Sequence, residues 1–84
     1  MLLVVVWKNT KPFKIDIDDS KTILELKTQI AKHFNGTDTG FNIINGIDII
    51  DSSQNNKSIS ACRLKRMIRL PDNYKPGDLN EILI

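Results

Sequence analysis

The segment at residues 20–34, SKTILELKTQIAKHF, holds the one long helical period in the sequence. Ile23, Leu26, Ile30 and Phe34 recur at helical spacing, while Glu25, Lys27, Thr28, Gln29 and Lys32 fall mostly on the other side. Thr22 followed by Glu25 has the spacing of a capping box, and Asp18 and Asp19 place negative charge near the N-terminal end of the helix dipole. Asn35-Gly36 supplies a left-handed stop, with Lys32 and His33 in the last turn. One amphipathic helix of about four turns is marginal in water, because nucleation costs more than so few hydrogen bonds return. The rest of the chain must give its apolar stripe a surface to lie on.

That surface reads as sheet. Residues 2–7 (LLVVVW) form a β-branched run of strand length. A turn at residues 9–12 (NTKP) leads into residues 13–18 (FKIDID), which alternate strictly. Phe13, Ile15 and Ile17 face one way and Lys14, Asp16 and Asp18 the other, the pattern of a half-buried strand with a wet outer face. After the helix, residues 41–51 (FNIINGIDIID) carry Asn45-Gly46 between apolar runs, the strongest short hairpin signal. A two-residue turn there would pair Ile44 with Ile47 and Asn42 with Ile49, and leaves open which of Ile43 and Ile44 points inward. Residues 52–58 (SSQNNKS) are a polar loop, and residues 59–70 (ISACRLKRMIRL) read either way, with apolar residues all round a helical wheel and a strand open at 66–70. A turn at residues 75–78 precedes the apolar run 79–84, read as a final strand.

The order is hairpin, helix, hairpin, loop, strand. Two isolated hairpins are each too small to be stable. The economical solution is an α+β roll: one mixed sheet of four to five strands with the helix packed across one face and the terminal strands near the middle. The 84 residues make a single domain, 1–84. No apolar run approaches the ~20 residues that span a bilayer, so membrane insertion is not expected. The first residues lack a basic stretch and a small-residue cleavage site. Cys62 is the only cysteine, which rules out an internal disulfide and fits a reducing cytoplasm.

Taken in order, these pieces resemble the ubiquitin-like (β-grasp) family over essentially the whole chain. Met1, Leu3 and Val5, then Phe13, Ile15 and Ile17, resemble the inward residues of its first hairpin. Thr22-Ile23, Leu26-Lys27 and Ile30 are similar to the start and buried face of its helix. Ile44-Asn45-Gly46, Ile49 and Asp51 resemble its third and fourth strands, and Tyr74-Lys-Pro-Gly-Asp78 with residues 79–84 resembles its ending. The family's conjugated members end in Gly-Gly; this sequence contains no Gly-Gly, so the resemblance implies a non-conjugated type. The basic residues between Cys62 and Asp72 also depart from the family's usual short loop. The resemblance implies an adaptor or docking domain that binds a partner protein non-covalently. An alternative is the small ubiquitin-like component of bacterial type VII secretion systems, similar in length and ending.

Catalytic chemistry finds little footing in the residues. A Cys/His nucleophile pair needs hydrogen-bond contact and an orienting group, and His33 at a helix end simply suits the dipole. A lone Cys62 is ordinarily a small buried hydrophobe, and no Cys/His cluster has metal-ligand spacing. Asp16, Asp18, Asp19, Asp48 and Asp51 alternate with isoleucines or sit in turns, and no phosphate-binding glycine motif is present. The expectation is a binding module, not an enzyme, with no cofactor or metal.

Two features remain. Arg63, Lys65, Arg66 and Arg69 concentrate positive charge, which would suit an acidic protein or nucleic acid, or simply guard a sheet edge. Nucleic acid is disfavoured, because only Tyr74 and Trp7 offer aromatics beside that cluster and the net charge is only +2. If Met1, Leu3 and Val5 face the helix, then Leu2, Val4 and Val6 face outward, beside a strand that shows Lys14, Asp16 and Asp18. Either residues 67–70 cover that apolar face or a partner does, a second copy of the chain included. The expected partner-binding residues are Leu2, Val4 and Val6, with Ile43 or Ile44 and Ile47, and the basic cluster to steer.

Overall fold

A computed structural model describes residues 1–75. Its elements are β1 (Leu2–Val6), β2 (Phe13–Asp16), α1 (Ile23–His33), β3 (Ile43–Asn45), β4 (Asp48–Ile50), a 3-10 turn (Ser52–Gln54), α2 (Ile59–Cys62) and β5 (Met67–Arg69). The result is a small α+β domain with one mixed five-stranded sheet, in the order β2-β1-β5-β3-β4, and one main helix. β1 pairs antiparallel with β2 and parallel with β5, and β5 pairs antiparallel with β3.

Helix α1 starts where the residues dictate. Thr22 is its N-cap, with Oγ1 accepting from the Glu25 N–H at 3.2 Å. Two more of the first-turn donors find backbone acceptors in the following loop: the Ile23 and Leu24 N–H groups donate to the Lys57 and Asn55 carbonyls at 2.9 and 3.0 Å. The helix stops at Asn35, which takes the left-handed conformation (φ 58), and the Gly36 N–H then donates to the Ala31 carbonyl at 2.9 Å. Ile23, Leu26 and Ile30 have no exposed surface and meet Leu3, Val5, Ile15, Ile43 and Ile68 of the sheet in the core. Lys27 departs from its expected place on the wet side. It is fully buried, with Nζ donating to Asn55 Oδ1 at 2.7 Å and lying 5.9 Å from the centre of the Phe41 ring. Burial pushes its ammonium down from the ordinary 10.5, against the attraction of Asp51.

The turn of the second hairpin lies one residue further along than expected, which moves the cross-strand partner of Ile44 by two, from Ile47 to Ile49. Ile44 stands opposite Ile49 and Asn45 opposite Asp48, so the turn residues are Gly46 and Ile47 instead of Asn45-Gly46. The cause is the Asn45 side chain. Its Oδ1 accepts from the Lys65 N–H at 2.9 Å and its Nδ2 donates to the Arg63 carbonyl at 3.3 Å, which holds Asn45 in the strand. Gly46, at φ 68, then takes the left-handed turn position.

The ambiguous stretch at residues 59–70 proves to be two elements. Ser58 caps the short α2, with Oγ accepting from the Ala61 N–H at 3.2 Å, and Arg63 ends it at φ 52. Leu64 returns to the core, and Met67–Arg69 forms β5 at the middle of the sheet, beside β1. The strand expected at residues 79–84 and the turn leading to it lie outside the described residues. No described helix is long and apolar enough to cross a membrane.

Candidate docking face

Two-residue alternation divides every strand between the core and the face turned away from α1. In β1, Leu3 and Val5 are fully buried, whereas Leu2 is 51% exposed and Val4 and Val6 are half-buried. In β5, Ile68 is buried between an exposed Met67 and Arg69. Ile43 and Ile50 face the core, so their partners along each strand, Ile44 and Ile49, face out. Ile43, held open as a docking residue beside Ile44, is therefore a core residue. Its cross-strand partner is the buried Ile50.

The register sets these outward side chains in rows. Lys14, Val4 and Met67 form one, and Val6, Arg69, Ile44 and Ile49 the next. Residues 67–70 do not cover the apolar face of β1. They extend it, since β5 lies in the sheet and adds Met67, 60% exposed. Ile49, also 60% exposed, continues the strip to the far edge.

Two depressions open on this face. One, of about 500 Å³, is lined by Met1, Leu2, Val4, Lys14 and Arg66. The other, of about 380 Å³, is lined by Val6, Ile44, Gly46, Lys65, Met67 and Arg69, with Ile68 at its floor. Lys65, Arg66 and Arg69 line these depressions, with Arg69 on the central strand between Val6 and Ile44. Arg63 stands apart as the left-handed cap of α2, and Ile47, 98% exposed, sits at the hairpin tip. The Lys65 side chain lies across Gly46, so close that a Cβ there would come within 2.6 Å of Nζ.

Met67, Ile49 and Lys14 complete the face and were not among the expected site residues. Lys14 was legible, because its outward direction follows from the alternation of residues 13–18. Met67 was hidden by the unreadable join between α2 and β5, and Ile49 by the hairpin register.

The aromatic residues are committed elsewhere. Tyr74 is only 3% exposed and packs against Phe41 with ring centres 4.5 Å apart. Burial, and then Asp38, push its phenol up from the ordinary 10.0. The Trp7 indole donates to the Pro71 carbonyl at 3.1 Å and meets Phe34 and Tyr74 edge to face. Neither offers an open ring beside the basic residues. His33 stacks on Phe13 with ring centres 3.5 Å apart, at the C-terminal end of α1. The Cys62 thiol donates to Gln54 Oε1 at 3.4 Å, near the N-terminal end of α1, where Ser58 bridges to Thr22. A helix of 11 residues, about 16 Å long, separates the two groups, so the fold does not bring them together.

The sequence matches no protein-family model and no curated protein.

Proposed function

We propose that this chain is a non-conjugated, ubiquitin-like (β-grasp) domain that docks a partner protein non-covalently on the outer face of its sheet. The observation that carries the reading is the apolar strip of Leu2, Val4, Val6, Met67, Ile44 and Ile49, which no other described segment covers. Its most exposed members, Leu2, Met67 and Ile49, are each more than half exposed in the described chain. The family part of the reading is supported by a mixed five-stranded sheet with α1 across one face and β1 near its middle, as the resemblance implies.

Val4 gives the direct test. It sits at the centre of the face, between Lys14 and Met67, and its side chain points away from the core. Val4→Asp should abolish capture of the partner that wild-type protein retains through a moderate-salt wash. The variant should still melt in one cooperative transition, with a stability loss of about 1 kcal/mol from reduced strand propensity. Unfolding of the variant would place Val4 in the core, and undiminished capture would move the interface to another surface.

A further inference from the structure

The charges around the strip identify its occupant more closely. Four cationic side chains, Lys14, Lys65, Arg66 and Arg69, border the two depressions. Among the described residues none of them is in an ion pair. Among the described strand residues, the carboxylate that shares this outer face is Asp16, opposite Leu2, and it lies 3.5 Å from the α-amino group of Met1. Asp18, Asp19, Glu25 and Asp51 belong to α1 and the loops behind the sheet, and Asp48 alternates to the side opposite Ile49. The face thus carries apolar side chains interspersed with cations of one sign, Arg69 on the central strand between Val6 and Ile44 and Lys14 on β2 at the edge. Resting on the docking reading above, we infer that its occupant is an acidic segment of a partner protein. Apolar side chains of that segment fill the two depressions, and its carboxylates meet the cations beside them.

Charge and shape decide against the other occupants. A second copy docked face to face would set these four cations against the same four, and like charges brought together at an interface cost affinity. A nucleic acid would satisfy the charge but would lay phosphates and sugars on aliphatic side chains. The rings on which its bases could stack, Trp7 and Tyr74, are packed against their neighbours. Only a segment carrying both apolar and acidic groups answers the whole face.

Selection of a displayed random-peptide library on the immobilised full-length chain tests this. Enriched sequences should combine large apolar residues with Asp or Glu. A synthetic peptide of the leading sequence should shift the amide resonances of Leu2, Val4, Val6 and Met67. The double variant Lys65→Glu with Arg69→Glu should weaken that peptide by about tenfold or more while keeping the wild-type melting transition. Selection repeated on the double variant should turn toward Lys and Arg. Enriched peptides that map to this face without an acidic bias, or that bind the double variant undiminished, overturn the acidic partner and leave the docking face standing. Peptides that map to another surface overturn both. Failure to enrich any sequence, or binding of a single-stranded oligonucleotide with the same resonance shifts, overturns the acidic protein segment.

Discussion

Asn45 does more than its place in a hairpin motif announces. Its amide closes the join between α2 and β5 at both ends, accepting from Lys65 and donating to Arg63, in a side chain only 4% exposed. Asn45→Ala would leave a backbone donor and acceptor unpaired, and should cost about 1–3 kcal/mol in chemical denaturation. Lys27 separates packing from charge. Lys27→Met retains the length of the buried stem and removes an ammonium held in a poor environment, so stability should change by about 1 kcal/mol or less. Lys27→Ala empties the site and should cost roughly 2–4 kcal/mol. The linkage has a definite sign. Because the folded ammonium releases its proton below 10.5, the unfolded chain binds more protons between the lowered value and 10.5. The stability of wild type relative to Lys27→Met should therefore rise with pH across that window, as paired denaturation curves would read. Neither role was legible in the sequence. Lys27 lies on the flank of the apolar stripe, where a wheel cannot tell a side chain that reaches solvent from one that turns under the Asn55 loop. Asn45-Gly46 has the composition of a turn, and the partners that hold Asn45 in the strand lie 18 and 20 residues away.

Helix α1 and the first hairpin were legible because their signals are local: period, cap and strict alternation all reside in adjacent residues. Leu26 is fully buried at the centre of the helix stripe, and Leu26→Ala should cost roughly 2–5 kcal/mol. In a domain of this size that lowers the thermal midpoint by more than ~10 °C, which differential scanning calorimetry would show. Thr22→Ala removes the cap and should cost ~1 kcal/mol. β5 was legible only as an option. Its three residues carry one inward side chain, Ile68, too few for a period, and the break before it falls on Arg63, a left-handed residue with no glycine or proline to announce it. The candidate docking face inherits the same division. Leu2, Val4 and Val6 followed from alternation alone, while Met67 and Ile49 needed the pairing of strands remote in sequence.

Across the described molecule, the sheet carries apolar side chains on both faces, one closed by α1 and the other interspersed with four cations. β2 alternates strictly, whereas β1 runs apolar throughout and places Leu2, Val4 and Val6 on the outer face. The position of β1 has another outcome. It is made well before the last described strand, its neighbour, with Val4, Val5 and Val6 opposite Met67, Ile68 and Arg69. Until residue 69 emerges from the exit tunnel, one whole side of that apolar strand has no hydrogen-bonding partner. Nascent chains stopped at residue 66 should accordingly show no cooperative melting and should be cleaved by protease wherever the full chain resists. Synthesis thus delivers the first hairpin, the helix and the second hairpin before β5 is there to join them, and folding of the described sheet waits on it.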